Sequence, residues 1–199
     1  MKIGIDIDGV LTDIEQWQLD YGSKYYYEKF QKGIVSPKAY ELFEIFGISK
    51  EAEHEFWYRN MEEYSTHAEI RMFAAEVIGK LRAEGHEIYI ITARGSWVSK
   101  FADIMSKEKS HEIVIEWLEK NGVAYDELIF SAEDKVKVCQ ENGIDVMIDD
   151  SPTNVAKISS AGIPVFCFHA GYNEKCEGEK IQRVYSWYDV YGTIEKMAK

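Results

Sequence analysis

Asp6 and Asp8 stand two residues apart near the start of the chain, in Ile3-Gly-Ile-Asp-Ile-Asp-Gly-Val-Leu-Thr-Asp13. Ile3, Ile5 and Ile7 form an apolar, β-branched run that reads as a buried strand, and Gly9 opens a tight turn behind it. Alternate residues of a strand share a face, so the two carboxylates sit side by side. Like charges so placed need a cation or a shared proton. A carboxylate oxygen can also attack phosphorus, while a second carboxyl protonates the leaving oxygen and then deprotonates water. An acidic residue can end a strand for purely local reasons. Here, however, the rest of the chain supplies partners.

The first partner is Asp149-Asp150-Ser151-Pro152, another acidic pair at the end of an apolar run. Four converging carboxylates cannot all ionise comfortably without a cation. Oxygen donors, with no His close by in sequence, suit Mg²⁺ better than a soft metal. Thr92 closes Glu87-Ile-Tyr-Ile-Ile-Thr92 with a hydroxyl, and Lys135 and Lys137 compete as the nearby cation. Lys135 is the preferred one, from its spacing to the strand ending at Asp149. Mg²⁺, a Thr hydroxyl, backbone N–H groups and a Lys together would supply the charge stabilisation that phosphoryl transfer requires.

These groups need a scaffold that delivers strand ends to one edge. From about residue 72 the pattern alternates helix and strand. Helices are predicted over 73–83, near 111–121, and over 135–141 and 152–160, with a last one from Ser186 to about Met197. Strands are predicted over 87–92, 127–130, 145–149 and 164–168. With the first strand, this is an α/β fold: a Rossmann-like parallel sheet of five strands sandwiched by helices. The crevice beyond the carboxyl ends of such strands is where ligands bind. Asp6, Asp8, Thr92, Asp149 and Asp150 all fall there. Residues 13–71 differ: they read mostly helical, with breaks near 33–37 and 47–49, and hold 13 of the 27 aromatic residues. So dense a cluster indicates a small unit with its own core.

The 199 residues suffice for one domain with an insertion, and 46% hydrophobic with 29% charged residues fits a globular chain. A net charge of −12 argues against long nucleic acids, yet leaves room for one small phosphate ester neutralised locally. No run spans a bilayer and the first apolar residues belong to the strand, so no membrane is expected and the expected location is cytoplasmic. Cys139, Cys167 and Cys176 suggest neither a disulfide framework nor a zinc site.

The chain resembles a phosphatase of the haloacid dehalogenase superfamily over its whole core. Asp6-Ile-Asp8-Gly-Val resembles the first motif, Ile91-Thr92 the second, Lys135 the third and Asp149-Asp150 the fourth. The resemblance implies Asp6 as nucleophile and Asp8 as general acid/base, with Thr92, Ala93 and Lys135 binding phosphate. It implies Mg²⁺ on the Asp6 carboxylate, the Asp8 carbonyl and the Asp150 carboxylate, with Asp149 behind it or the two reversed. An Asp at position 8 favours phosphate esters over the superfamily's dehalogenases and phosphonatases. Residues 1–12 and 72–199 would be the core and 13–71 a helical cap that reads the substrate. Trp17, Phe43, Phe46 and Trp57 are the candidates to stack on a nucleobase, although most cap aromatics should form the cap's own core.

The opening motif, Phe56-Trp57 and Ile-Asp-Asp-Ser-Pro are similar to the deoxyribonucleotide 5′-nucleotidases and to the bacterial nucleotidases grouped beside them. One departure is Ala93-Arg94, where characterised deoxyribonucleotidases carry a small hydroxyl residue and proline. Arg94 is a candidate for holding a substrate phosphate or carboxylate, and equally for capping a helix or pairing on the surface. The expected substrate is a small phosphorylated metabolite, first a nucleoside monophosphate. A sugar or alcohol phosphate, or a binding protein that has lost turnover, are the alternatives. A homodimer is compatible with the sequence.

Overall fold

The computed structural model describes residues 1–94, 106–130 and 132–197. Six parallel strands form one sheet in the order β3-β2-β1-β4-β5-β6. They are β1 (Lys2–Ile5), β2 (Glu87–Ile91), β3 (Glu127–Ile129), β4 (Val146–Asp149), β5 (Val165–Phe168) and β6 (Ile181–Val184). β1 is central: Ile5 aligns with Ile90 of β2 and with Ile148 of β4.

Strand periodicity sorts the core into two layers. Ile3, Ile5, Ile88, Ile90, Val146 and Ile148 pack on one side with α4 (Ala74–Ala83), α5 (Lys107–Lys120) and α8 (Trp187–Met197). Tyr89, Ile91, Met147, Val165 and Cys167 pack on the other with α6 (Lys135–Asn142) and α7 (Pro152–Ser160). Both faces are covered, which is why the strands read as continuous apolar runs. Gly4 lies on the second side, where a Cβ would come within 2.6 Å of Met147 Sδ.

Between β1 and β2 the chain makes α1 (Ile14–Phe30), α2 (Leu42–Ile45) and α3 (Lys50–His67). Asp13 caps α1 by accepting the Gln16 N–H, and Ser49 caps α3 by accepting that of Ala52. Thr12 and Ile70 form an antiparallel bridge, and the Arg71 N–H donates to the Leu11 carbonyl at 2.7 Å. The helical insertion therefore leaves and rejoins the sheet at one point. Tyr26, Leu42, Ile45, Phe46 and Phe56 form its own buried cluster.

The structure corrects three element predictions. A sixth strand, β6, extends the sheet, so five was an undercount; Ile-Gln-Arg-Val is too short and polar to stand out. α5 starts at Lys107, not near His111, because the Ser106 hydroxyl accepts the Lys109 N–H. Phe73 is no helical residue but the cap of α4, at φ 66°. The connection expected after Thr92 lies largely outside the described residues.

Candidate active site

Asp6 follows β1 directly and still pairs with β4, its N–H donating to the Ile148 carbonyl at 3.0 Å. That pairing sets Asp6 beside Asp149 and Asp150, and carboxylate oxygens of all three lie within 4.8 Å of one another. All three residues are buried. The Lys135 ammonium, at the first residue of α6, bridges Asp6 Oδ2 at 2.6 Å and Asp149 Oδ2 at 2.7 Å. Lys137 instead points outward toward Glu141, at 3.8 Å. Burial opposes the charge on Lys135, but Asp149 and Asp6 outweigh it and hold the amine well above the ordinary lysine range.

The two members of the second acidic pair differ. Asp149 is fully buried, and besides Lys135 it accepts the Ser151 N–H at 2.9 Å and the Asn154 side-chain amide at 3.3 Å. Asp150 lines a cavity and accepts the Tyr172 hydroxyl. Burial, then the charges of Asp149 and Asp6, push the Asp150 carboxyl well up; burial does the same for Asp6. Gly9, at φ +80°, makes this crowding feasible, since a Cβ there would lie 2.0 Å from Asp150 Oδ2.

Asp8 lines the same cavity but is held by other partners. Arg94 Nη2 donates to its Oδ1 at 2.6 Å, Nε lies 3.2 and 3.1 Å from Oδ1 and Oδ2, and the Tyr64 hydroxyl donates to Oδ1 at 2.7 Å. Burial would raise the Asp8 carboxyl, but Arg94 and Tyr64 hold it below its ordinary value. Tyr64 comes from α3 and also meets the Thr12 hydroxyl at 2.8 Å.

A cavity of about 430 Å³ opens on these groups. Asp6, Asp8, Ala93, Lys135 and Asp150 line its floor, and Ile14, Gln18, Trp57 and Met61 come from the insertion. Of the predicted aromatics, only Trp57 lines it. Phe46 is fully buried in the insertion's own cluster, Trp17 stacks between Tyr21 and Trp57, and the Lys50 ammonium covers Phe43. Thr92 is fully buried, its hydroxyl accepting the Arg94 N–H at 3.0 Å. Among the described residues Arg94 caps no helix, and it pairs with Asp8 in the interior and not on the surface.

Comparison with known proteins decides the family. The model of the family "5' nucleotidase, deoxy (Pyrimidine), cytosolic type C" matches residues 1–199. The chain belongs to that family. A nucleotidase of Clostridium acetobutylicum is 28% identical over 99% of this chain and 95% of its own. Two solved structures share the fold. The D,D-heptose 1,7-bisphosphate phosphatase of B. bronchiseptica, complexed with magnesium and phosphate, superposes with a TM-score of 0.57 at 11% identity, covering 99% of each chain. A haloacid dehalogenase-superfamily hydrolase of Geobacter sulfurreducens gives 0.58 at 12%, covering 97% of this chain and 95% of its own.

This nucleotidase is thus a phosphatase built on a parallel, Rossmann-like sheet. Sequence reasoning missed Tyr172, Tyr64 and Gln18. Tyr172 lies in the 3₁₀ turn Gly171–Asn173 after β5, fastened by Asn173, whose amide donates to the Asp150 and Phe168 carbonyls at 2.8 Å. The available signal was position: this turn follows a strand neighbouring the acidic pair. No helix among the described residues is long and apolar enough to cross a membrane.

Proposed function

We propose that the protein hydrolyses nucleoside 5′-monophosphates, with deoxypyrimidine nucleotides first, through a phospho-Asp6 intermediate in a Mg²⁺-dependent reaction. The observation that carries this reading is the buried Asp6–Lys135–Asp149 bridge beside Asp8 and Asp150 at the floor of one cavity. The family description supplies the deoxypyrimidine preference.

Hard oxygen donors within 4.8 Å of one another, with Lys135 offsetting only part of their charge, fit a divalent cation such as Mg²⁺. Asp6, Asp150 and the Asp8 carbonyl would hold it, because Asp149 already spends its oxygens on Lys135, Ser151 and Asn154. When bound, the cation neutralises phosphoryl oxygens and orients the ester. Asp6 attacks phosphorus, and the leaving 5′-oxygen takes, through Asp8, the proton that the monoanionic ester brings. Water then attacks phospho-Asp6 and yields a proton to Asp8. Lys135 and the backbone at Ala93 hold phosphoryl oxygens, with Thr92 shaping that turn from behind. Residues 13–71 serve as the cap, where Trp57 stacks on the base and Ile14 and Met61 pack on the nucleoside.

The test is phosphate release from deoxy- and ribonucleoside monophosphates and sugar phosphates, with Mg²⁺ or with EDTA. Release that needs Mg²⁺ and is led by deoxypyrimidine nucleotides is expected. Release led by a sugar phosphate would retain the chemistry and overturn the stacking argument. No Mg²⁺ dependence would overturn the metal assignment.

A further inference from the structure

We infer that Arg94 is a positioning residue for Asp8, working with Tyr64 to orient the carboxyl group that passes a proton to the leaving oxygen. The inference rests on the phosphatase reading above and adds a role at a position where the chain departs from the characterised deoxyribonucleotidases.

The geometry has three parts. Asp8 lines the cavity while Arg94 and Tyr64 lie behind it, outside the cavity lining, so the contacts engage Asp8 without reaching the reacting atoms. Among the described residues the donors concentrate on one oxygen: Oδ1 takes Arg94 Nη2 at 2.6 Å, Arg94 Nε at 3.2 Å and Tyr64 Oη at 2.7 Å, whereas Oδ2 takes Nε at 3.1 Å. Oδ2 is therefore the oxygen left for the proton in transit. Finally, the clamp is rigid. The Arg94 guanidinium sits over the Tyr64 ring at 5.2 Å, only 5% of the Arg94 side chain is exposed, and its backbone N–H is tied to Thr92.

In the first step the Asp6–phosphorus bond forms and the phosphorus–5′-oxygen bond breaks. The proton, brought in on the monoanionic phosphate ester and passed through Asp8 Oδ2, moves to that oxygen and leaves Asp8 a carboxylate. Holding that carboxyl group in a fixed orientation toward the leaving oxygen lowers the barrier in proportion to how much that oxygen needs the proton. An alkoxide needs it fully; a dinitrophenolate, a far weaker base, hardly at all. Leaving-group dependence therefore separates this role from a merely structural one.

The experiment measures kcat/KM, which reports steps only through the first phosphoryl transfer, for wild type, Arg94→Gln, Arg94→Lys, Tyr64→Phe and Asp6→Asn. The substrates are a deoxypyrimidine 5′-monophosphate and 2,4-dinitrophenyl phosphate. Arg94→Gln is expected to lose about 100-fold on the nucleotide and less than about 5-fold on the aryl ester. Arg94→Lys, which keeps the charge and loses the fork, should fall between it and wild type. Tyr64→Phe, which keeps the ring and removes one donor, should show a smaller loss with the same substrate bias. This variant tests the inference even where thermal melting shows Arg94→Gln to be unfolded. Equal losses on both substrates, or none in either variant, overturn the inference alone. Asp6→Asn as active as wild type overturns the phosphatase reading and the inference with it.

Discussion

At the level of single residues, the site is held by charge compensation inside a buried network. Lys135 neutralises Asp6 and Asp149 together, so Lys135→Met should leave two buried carboxylates uncompensated. A loss of about 3–5 kcal/mol is expected, read by urea unfolding in EDTA. Lys137→Met, on an exposed pair, should stay within about 0.5 kcal/mol of wild type. Gly9→Ala should abolish turnover, because its Cβ would meet the Asp150 carboxylate on a backbone of φ +80°. A Gly9→Ala variant with more than about a tenth of wild-type kcat/KM would contradict that packing. The acidic residues and Lys135 were legible because their types are tied to strand ends, where spacing predicts position. Arg94 was not: the same residue type serves substrate, surface or neighbour, and only the three-dimensional path of the loop chooses Asp8. Tyr172 carried only the signal of its position after β5, since its partner Asp150 lies 22 residues away with α7 and β5 between them.

At the level of elements, the alternation of helix and strand was readable because both faces of the sheet are covered and each helix ends at a glycine or begins at a cap. β6 escaped because an edge strand of four residues needs only one buried position, Val184, beyond its half-buried flanks. The mostly helical character of residues 13–71 was legible, but their aromatics were not individually assignable: helical periodicity tells inside from outside, not which inside. Phe46 shows the difference. It packs on Tyr26 with ring centroids 4.9 Å apart and touches the Gly22 position, as a core residue does. Phe46→Ala is therefore expected to destabilise the protein by about 3–5 kcal/mol through a cavity in the insertion. Trp57→Ala should instead raise KM for nucleotides while inorganic-phosphate inhibition stays unchanged. Equal weakening of both would show that Trp57 does not contact the base.

At the level of the whole molecule, the acidic balance makes stability depend on pH in a definable direction. In the metal-free protein Asp6 is pushed up from 3.8 to about 7, chiefly by burial, and Asp150 is pushed up as well. The native state then binds more protons than the unfolded chain between about pH 4 and pH 7, so stability falls as pH rises through that window. Asp8 has the opposite shift, but its contribution is lost below about pH 4 and does not overlap. Melting in EDTA should thus show a Tm that declines from about pH 5 to pH 7.5, and Mg²⁺ should restore more of it at the upper end. A flat profile would contradict the carboxylate cluster. The central place of β1 has one further consequence, for synthesis. During synthesis β1 can pair on one side only after residue 87 has emerged, and on the other only after residue 146. Arg183 of β6, whose guanidinium ties down the turn at Asn173 beside Asp150, arrives later still. On the ribosome, Asp6 therefore waits for β4 and β6 before its surroundings exist, and catalysis switches on only after residue 183 has emerged.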